Sequence, residues 1–375
     1  MKFSITRDVL LKNLSHMQSV VEKRSSIAIL SNVRLEARDN KLKTTATDND
    51  IAVQATSDAF VDRPGVTTVS AHKLYEIVRK LPDGVQVHAE LSEGGDRLTV
   101  SGGKARFSLA CLDAGAFPDM SAVSGGVSFK LTGDVLRKVL AKAQFAASND
   151  DTRQYLNGVF MHVTKGKAGD KDALRFVATD GHRLARVEQE LPEGAAGMPG
   201  VIIPRKTVNE LRRLSEDTKD KPITLRVTEK KIQFEAGDVL LTSKVIDGTF
   251  PDYERVIPYD NAQSMDVARQ PLLQAVDRVS ILSHEKSRSV KFSLKPNHLV
   301  ITANNPDQEN AMEELRVNYG ASDLDVGFNA KYVYEIGQLI EGEDMQFFLK
   351  DASSPVLLKD PKDVGALFVL MPMRI

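Results

Sequence analysis

The sequence predicts an α+β protein made of three similar domains, each with two helices packed on antiparallel β-sheet. Three observations support this fold class. A chain of 375 residues is too long for one ordinary hydrophobic core. The order helix, strand pair, helix and further strands occurs three times, and such recurrence marks repeated domains. The strand-like segments alternate apolar and polar residues, as expected where one face of a sheet is covered.

Each repeat begins with an amphipathic helix. The three segments place apolar residues at i, i+3 and i+4, and they read ITRDVLLKNLSHMQSVVEK, LTGDVLRKVLAKAQFAAS and VARQPLLQAVDRVSILSHEK. In the middle copy the apolar stripe consists of Val135, Leu136, Val139, Leu140 and Ala143. A stripe of this width predicts a helix with one face on a core.

A pair of strands follows each of these helices. The three copies read NVRLEARDNKLKTTATDND, NGVFMHVTKGKAGDKDALRFVATDGHR and SVKFSLKPNHLVITANNPDQE. In the first copy Val33, Leu35 and Ala37 alternate with polar residues, which predicts a strand covered on one side. The turns ARDNKL and KPNHLV have the composition of β-hairpins.

A second helix and more strands complete each repeat. The helices read SAHKLYEIVRKLPDG, PRKTVNELRRLSED and NAKYVYEIGQLIEGED, and the first two repeats close on FPDM and FPDY. The connectors VSGGV and VIPYDN, with their glycines and proline, separate the repeats. We therefore predict domains at residues 1–125, 126–256 and 257–375, the last of which ends in the tail VLMPMRI.

Bulk composition narrows the class of protein. The net charge is −1, and the single cysteine, Cys111, excludes an intrachain disulfide framework and a cysteine-built metal site. The first residues lack the apolar core of a signal peptide, and no apolar run is long enough to span a bilayer. These features favour a cytoplasmic protein without a membrane partner.

Charge is distributed unevenly between the predicted elements. We predict six helices, at residues 7–24, 72–80, 134–144, 205–213, 269–288 and 331–340. They contain nineteen Lys and Arg but eight Asp and Glu, so the helices carry +11 and the rest of the chain −12. If the helices share one face, that face attracts phosphate backbones without reading their sequence. Ordinary solvated helix faces are the alternative explanation.

The segment FVATDGHRLARVE, residues 176–188, raises the possibility of an enzyme. His182 would be the catalytic base, Asp180 its orienting carboxylate and Ser243 a nucleophile. However, the sequence has no GxSxG elbow and no Walker-type phosphate loop, and its seven histidines lack metal-ligand spacing. Asp180 is better suited to cap the turn. We predict no catalytic residue, metal or cofactor, and we interpret Cys111 as a buried structural thiol.

Several long strings match one known family in the family's order. They are MKFSITRDVLLKNL, YLNGVF, VATDGHRLA, IPRKTVNEL, SKVIDGTFPDYERVIP, ILSHEK, ITANNPDQE and VLMPMRI. With these strings the whole chain resembles the bacterial DNA polymerase III β subunit, the sliding clamp family. The resemblance implies three DNA-clamp domains per chain, with antiparallel sheets outside and two helices per domain inside.

The resemblance also implies a function and an assembly. Two chains would join head to tail into a six-domain ring around double-stranded DNA, which they would bind independently of base sequence. The protein would be a non-catalytic processivity factor that tethers the replicative polymerase and other replication and repair proteins. A monomeric peptide-binding scaffold that does not encircle DNA is the alternative.

The family places the TDGHRL turn in a pocket for partner peptides. The first and third repeats have TDNDIA and NNPDQE instead, so one pocket per chain is expected. Aliphatic and methionine side chains suit a groove that accepts several related peptides. The matching positions are Leu156, Thr179, Gly181, His182, Arg183, Leu184, Pro251, Arg255, Val256, Ser354, Val369, Leu370, Met371, Pro372, Met373 and Arg374.

The implied partners share a short clamp-binding peptide of the Gln-x-x-Leu-Phe type. They are the DNA polymerase III α subunit, the clamp loader, other polymerases and repair proteins. Arg183 and Arg374 are expected to hold peptide carbonyls or acidic neighbours. For His182, peptide contact and a structural role at the turn remain equally open.

The remaining candidates concern DNA and the dimer. The DNA-binding candidates are Arg24, Arg137, Lys138, Arg153, Tyr155 and Lys206. The dimer candidates are Lys73, Ile77, Phe107 and Leu109 at one end of the chain, and Ile281 and Leu282 at the other. Such head-to-tail pairing is a heterologous contact. For Ile281 and Leu282, core packing is as consistent with the sequence as the interface.

Overall fold

The computed structural model describes residues 1–22, 26–119, 123–166 and 171–374. Within these ranges the chain forms six α-helices and 26 β-strands, which confirms the α+β class and the two helices in each repeat. The helices are α1 (Arg7–Val20), α2 (Ala71–Lys80), α3 (Gly133–Gln144), α4 (Arg205–Thr218), α5 (Arg269–Ser280) and α6 (Ala330–Leu339). Across the described part of the chain, the helices are too short or too polar to cross a membrane.

The strands divide among the three repeats. The first repeat contains β1 (Lys2–Thr6), β2 (Asn32–Arg38), β3 (Lys41–Thr47), β4 (Ile51–Asp58), β5 (Phe60–Arg63), β6 (Gly65–Ser70), β7 (Gln86–Leu91), β8 (Arg97–Gly102) and β9 (Ala105–Leu112). The second contains β10 (Val127–Thr132), β11 (Gly158–Thr164), β12 (Ala173–Thr179), β13 (Arg183–Glu190), β14 (Val201–Pro204), β15 (Pro222–Val227), β16 (Lys231–Ala236) and β17 (Val239–Lys244). The third contains β18 (Gln263–Ala268), β19 (Ser289–Lys295), β20 (His298–Asn304), β21 (Asn310–Arg316), β22 (Asn318–Tyr319), β23 (Leu324–Asn329), β24 (Asp344–Leu349), β25 (Val356–Asp360) and β26 (Asp363–Leu370).

The first compact unit comprises Met1–Leu136, Pro192–Pro199 and Asn209–Val245. It contains a 13-stranded sheet with the order β10-β15-β16-β17-β4-β3-β2-β6-β9-β8-β7-β1-β5. Helix α1 packs on β3 and β4 and buries Leu14 and Met17 completely. Strands β4 and β17 are antiparallel neighbours, so strands of the second repeat continue the sheet of the first. Because of this ladder, the compact unit does not follow the borders of the repeats.

The second compact unit comprises Arg137–Leu191, Gly200–Val208 and Ile246–Ile375. It contains a nine-stranded sheet, β14-β11-β12-β13-β26-β25-β24-β18-β22, and a four-stranded sheet, β21-β20-β19-β23. Helix α5 packs on α6 and on the four-stranded sheet. In the larger sheet, Arg183 of β13 lies opposite Leu370 of β26. The strand that follows the TDGHRL turn is therefore hydrogen-bonded to the strand that leads into the C-terminal tail.

The predicted alternation in β2 is confirmed by the burial of its side chains. Val33, Leu35 and Ala37 are buried, whereas the intervening residues are half-buried. Strands β2 and β3 are joined by a two-residue turn in which Asp39 and Asn40 have φ values of 52° and 54°. Positive φ at both central positions is the geometry that a tight hairpin requires, and Asn and Asp tolerate it.

The helix ends differ from the prediction, and the charge difference changes with them. Helices α1 and α5 end at Val20 and Ser280, before their predicted ends, which takes four Lys and Arg and two Glu out of the count, whereas α4 continues to Thr218 and gains Glu216 and Asp217. With the observed ends, the six helices contain fifteen Lys and Arg and eight Asp and Glu. Their net charge is therefore +7, against −8 for the rest of the chain. The sign of the predicted segregation is kept, but its size is smaller.

A buried histidine, His16, and a half-buried one, His162, predict how stability depends on pH. Burial lowers the pKa of His16, whose Nε2 lies 3.3 Å from Asp217 Oδ2 without an aligned hydrogen bond, and burial also lowers the pKa of His162. Both histidines titrate at about 6.5 in the unfolded chain, so below that pH the unfolded state binds protons that the folded state does not. We expect the thermal midpoint to fall as pH decreases from 7.5 to 5.5. The double variant His16→Gln/His162→Gln should flatten this slope, and an unchanged slope would contradict the assignment.

Candidate functional site

The TDGHRL turn is held by hydrogen bonds between side chains and backbone. Asp180 Oδ1 accepts from the backbone N–H groups of His182 and Arg183, at 2.8 and 3.0 Å. Thr179 Oγ1 donates to the carbonyl oxygen of Arg183 at 2.8 Å and accepts from the N–H of Gly181 at 3.1 Å. Asp180 thus caps the turn, as the sequence predicts. These bonds lie within the turn, so the backbone between β12 and β13 is fixed before any peptide binds.

This geometry does not support a catalytic His–Asp pair. Both carboxylate oxygens of Asp180 serve the backbone or Arg183, and within the described ranges the His182 imidazole has no hydrogen-bond partner. Ser243 is buried. The described part of the chain holds no group of three His, Cys, Asp or Glu residues arranged for a metal ion. Cys111 is half-buried rather than buried, and burial raises the pKa of its thiol, which lowers its nucleophilicity at neutral pH.

The Arg183 guanidinium is engaged inside the protein. Its Nε lies 3.1 Å from Asp180 Oδ2, and its Nη1 pairs with Glu335. The same group lies over the rings of Phe145 and Tyr332, with its central carbon 4.9 and 4.2 Å from their centroids. The expectation that Arg183 holds peptide carbonyls does not fit this arrangement, because two carboxylates and two rings already occupy the guanidinium. Arg183 instead fastens the turn to α6.

A single apolar cluster packs beneath the turn. Its buried members are Leu156, Val177, Leu184, Ile202, Phe250, Tyr253, Ile257, Leu357, Leu367 and Val369. The prediction included Leu156, Leu184 and Val369 but missed the other members. A detectable signal was present, because Val177 and Leu367 occupy apolar positions on β12 and β26. The cluster brings together the second repeat, the connector after it and the end of the third repeat.

The C-terminal tail runs beside the turn after β26 ends. The N–H of Met371 donates to the carbonyl oxygen of His182 at 2.9 Å, and the N–H of Met373 donates to Gly327 at 2.8 Å. These two bonds fix the backbone of the tail and leave its side chains partly accessible. The exposed or half-buried tail residues are Met371, Pro372, Met373 and Arg374.

The connector at residues 250–257 forms a further side of the site. Pro251 and Arg255 are exposed, and Arg255 Nε lies 2.7 Å from Asp252 Oδ2. Val256 is 49% exposed although it is aliphatic, so it is available to an apolar ligand. We call the surface formed by turn residues 179–184, connector residues 250–257 and tail residues 369–374 the groove.

Ser354 lies in a tight turn just before β25. Its hydroxyl donates to Asp351 Oδ2 at 2.7 Å and its N–H to Oδ1 at 2.8 Å, and these bonds hold the pKa of the Asp351 carboxyl below its usual range. Two residues further on, Val356 pairs with Leu370 across the β25–β26 ladder. The ladder therefore places Ser354 close to the start of the tail. Leu370 itself is completely buried, so it supports the groove from below.

Two residues predicted to contact DNA lie beside the groove. A Cβ atom on Gly181 would lie 3.3 Å from Arg153 Nη1, so the Arg153 side chain rests on the turn. A Cβ atom on Gly248 would lie 3.2 Å from Tyr155 Cβ, which places Tyr155 against the segment leading into the connector. The sequence motif did not reveal this neighbourhood because it depends on the fold. Arg24, the other loop candidate, lies outside the described residues.

Gly181→Ala is predicted to damage the groove through the backbone. Gly181 has a φ of 90°, where a Cβ atom costs about 1–2 kcal/mol, and the added methyl would press on Arg153. We expect affinity for a Gln-Ala-Ala-Leu-Phe peptide, measured by fluorescence anisotropy, to fall about tenfold. Gly197→Ala is the matched control, because φ is 80° there and nothing lies within 4 Å. Equal affinity losses in both variants would contradict a local effect.

The helix candidates for DNA binding differ in their availability. Arg137 is exposed and Lys206 is half-buried. Lys138 Nζ lies 3.3 Å from Glu341 Oε1 and 3.1 Å from Asp363 Oδ2. The Lys138 charge is thus shared with two carboxylates of its own chain, which weakens its attraction for phosphate. The charge count from the sequence included Lys138 as a full positive charge, because its two carboxylate partners lie about two hundred residues further along the chain.

The dimer candidates separate into buried and exposed side chains. Leu109 is buried within its own domain, whereas Ile77, Phe107 and Leu282 are half-buried and Lys73 is exposed. Ile281 is 77% exposed, so the core explanation for this residue is wrong. It directly follows the last residue of α5, Ser280.

Known proteins match this architecture along the whole chain. Models of the DNA polymerase III beta subunit match the N-terminal domain at residues 1–121, the central domain at 130–252 and the C-terminal domain at 254–374. A beta sliding clamp from Caulobacter vibrioides (strain NA1000 / CB15N) is 46% identical over 377 residues, and one from Escherichia coli (strain K12) is 38% identical over 381. Both alignments cover 100% of each chain.

Solved structures agree in fold. The crystal structure of a C. crescentus beta sliding clamp has a TM-score of 0.96 and 46% identity, and covers 100% of this chain and 99% of that one. A DnaN sliding clamp from Bartonella birtlesii, crystallised with griselimycin, has a TM-score of 0.96 and 40% identity, with full coverage of both chains.

Three α+β repeats with two helices each, in a chain that matches solved sliding clamps over its full length, define a DNA clamp. The full-length matches then fix the family. The chain belongs to the DNA polymerase III beta subunit family, and it functions as a sliding-clamp processivity factor in DNA replication. The comparisons give no support to the monomeric scaffold considered from the sequence.

Proposed function

We propose that two copies of this chain join head to tail and close a ring around double-stranded DNA in the cytoplasm. In this proposal the three domains are residues 1–125, 126–256 and 257–375, and the helices of both chains line the hole. Each groove binds the Gln-x-x-Leu-Phe type peptide of the DNA polymerase III α subunit, the clamp loader, other polymerases and repair proteins. The protein carries out no chemical step of its own.

Two strand edges support the head-to-tail contact. Residues 105–110 of β9 pair with β8, whereas β6 meets β9 only at Cys111 and Leu112, so among the described residues the other side of 105–110 has no partner strand. Strand β21 lies at the edge of the four-stranded sheet and pairs with β20 along its length. An open edge is a template for pairing with a strand from another molecule. Pairing between β9 and β21 of a second copy would satisfy both edges.

The charges near these edges are complementary. Exposed Lys104 and Arg106 lie at the β9 edge, while Glu309 and Glu314 lie on or next to β21. Complementary charges of this kind steer two surfaces together and fix their register. The same residues would repel a β9–β9 or a β21–β21 contact, which favours the head-to-tail over the symmetric arrangement.

Ile281 is the observation that carries the dimer proposal. It directly follows α5, which is tied to β21 by the bond from Arg278 Nε to Glu313 Oε2 at 2.9 Å. A surface cavity of about 550 Å³, lined in part by Ile281 and Tyr334, adjoins it. Val276 and Ala330 also line this cavity, so it offers apolar contacts to a side chain such as Phe107 of the second copy.

Light scattering during size-exclusion chromatography tests the assembly. The chain has a mass of 41.2 kDa, so we expect a particle of twice this mass at micromolar concentration. A concentration-independent mass of 41.2 kDa would contradict the proposal.

Binding to DNA is supported by the net charge of +7 that the six helices carry. Such a face binds phosphates loosely and allows movement along the duplex. Binding of peptides is supported by the buried apolar cluster under an accessible groove wall, which includes Val256 and Met371. We assign the peptide role to the groove residues of the sequence prediction, with Arg183 as an internal support rather than a contact.

A further inference from the structure

The connector that forms one wall of the groove is anchored by a buried tyrosine. Tyr253 is 6% exposed and begins the 3-10 turn Tyr253–Val256. The neighbouring groove residues Pro251 and Arg255 are exposed on the same segment. The position of this wall therefore depends on how Tyr253 is held.

Aromatic rings hold Tyr253 from one side. Phe250 packs at 67° to the Tyr253 ring with their centroids 6.4 Å apart, and Phe160 stacks on Phe250 at 4.9 Å. His162 stacks on Phe160 at 4.6 Å and lies 5.8 Å from the Tyr253 ring. The four rings form one continuous contact between strand β11 and the connector, and such pairs favour a few specific geometries.

Two hydrogen bonds hold the Tyr253 hydroxyl. It lies 2.9 Å from His162 Nε2 and accepts from Arg175 Nη1 at 3.0 Å. His162 Nδ1 lies 3.2 Å from the carbonyl oxygen of Val163, which assigns the ring proton to Nδ1 and leaves Nε2 to accept from the phenol. Burial raises the pKa of Tyr253 to about 12 and lowers the pKa of His162, so both groups are neutral at physiological pH.

Arg175 extends this anchor to strand β13 and to the residue after Tyr253. Its Nε donates to Glu188 Oε1 on β13 at 2.6 Å, and its Nη1 pairs with Glu254, the residue after Tyr253. The Tyr259 hydroxyl, just beyond the connector, donates to Glu254 Oε2 of the same carboxylate at 3.2 Å. A planar guanidinium with several donors can fix such a set of acceptors in one geometry.

We infer that Tyr253, held by His162 and Arg175, is a positioning residue that sets the groove wall for peptide binding. The inference rests on the proposed function, since it assumes that the groove binds Gln-x-x-Leu-Phe peptides. Tyr253 is buried and acts through the residues beside it. Its network fixes Pro251 and Val256 before the peptide arrives, so the peptide does not have to order the connector on binding.

Tyr253→Phe tests the inference with the smallest change. The variant keeps the ring stack and removes only the hydroxyl. We expect affinity for fluorescein-labelled Gln-Ala-Ala-Leu-Phe, measured by anisotropy, to fall about tenfold because the connector wall is no longer held in place. Thermal melting checks that the variant is folded.

Tyr319→Phe is the matched control. Tyr319 is as deeply buried, and its hydroxyl lies 2.8 Å from Gln263 Oε1 and 2.6 Å from the Ser322 carbonyl oxygen. It lies outside the groove. We expect a similar loss of thermal stability with less than about a twofold change in peptide affinity. Equal effects of the two substitutions on affinity would show that Tyr253 has only a structural role and would overturn the inference.

A double-mutant cycle measures the coupling between two substitutions in peptide affinity, and a general loss of stability does not produce such coupling. Val256→Ala should weaken peptide binding about fivefold when Tyr253 is present, because it removes apolar contact area. In the Tyr253→Phe background the same change should cost less than about twofold, since the wall is already displaced. Additive losses would overturn the inference. Failure of the unaltered protein to bind the peptide would instead overturn the proposed function, so the two failures are distinguishable.

Discussion

Removal of residues 371–375 is expected to abolish peptide binding while the protein remains dimeric. The tail supplies the Met371 and Met373 side chains, and its backbone is fixed on one side of the groove by the carbonyl oxygen of His182. Without the tail, only two of the three segments that form the groove, the turn and the connector, remain over the apolar cluster. We expect affinity for labelled Gln-Ala-Ala-Leu-Phe to fall at least about a hundredfold, the scale of losing several central contacts at once.

The same deletion distinguishes the peptide-binding groove from the dimer interface. The β26 ladder ends at Leu370, so the deletion removes no strand pair of the nine-stranded sheet. The particle mass and the thermal midpoint should therefore stay close to those of the full chain. Loss of the dimer in this variant would show that the tail belongs to the interface. Unchanged peptide affinity would show that the groove lies elsewhere.

Ile281→Arg is expected to convert the dimer into a monomer. The side chain is 77% exposed in the single chain, so arginine there should not disturb folding. In the dimer, however, the charge would be buried against an apolar partner surface, at a cost of about 3–5 kcal/mol. This corresponds to a weakening of the dimer by more than about a hundredfold. Light scattering at micromolar concentration should then report a mass near 41.2 kDa.

Val364→Arg is the control for that change. Val364 is 94% exposed near the start of β26, far along the chain from both candidate edges. The same added charge at an equally open site should leave the dimer mass unchanged. Peptide affinity should be preserved in both variants because the groove lies within one chain. A dimer that survives Ile281→Arg would remove this residue from the interface.

Local patterns in the sequence were sufficient for the elements and for part of the site. The burial of Val33, Leu35 and Ala37 followed directly from alternation, because a strand with one covered face has a period of two. The capping role of Asp180 followed from turn chemistry that involves only neighbouring residues. Leu184 and Val369 were assigned to the groove by resemblance to the family, and they lie in one apolar cluster.

Features that depend on distant residues were not predictable from the same patterns. Arg183 forms an ion pair with Glu335, which lies 152 positions further along the chain, and Lys138 forms one with Asp363. The neighbourhood of Arg153 and Gly181 likewise depends on how the loop before β11 folds onto the turn. The spacing of residues in the sequence does not predict such contacts, because they form only when separate elements pack together.

The connector network illustrates the same limit. His162 and Arg175 lie on neighbouring strands, and each reads as an ordinary polar position in an alternating pattern. Their shared contact with Tyr253 is created by the path of the connector across those strands. The groove wall is therefore positioned by residues that carry no motif.

Retention on circular DNA tests the central claim most directly. The protein is loaded by the clamp loader onto a nicked circular plasmid, separated from free protein by gel filtration, and then treated with an enzyme that cuts the plasmid once. A ring that encircles the duplex should co-elute with the circle at 0.5 M NaCl and slide off after the cut. Loss of the protein from the intact circle at that salt, or equal retention on linear DNA, would contradict encirclement.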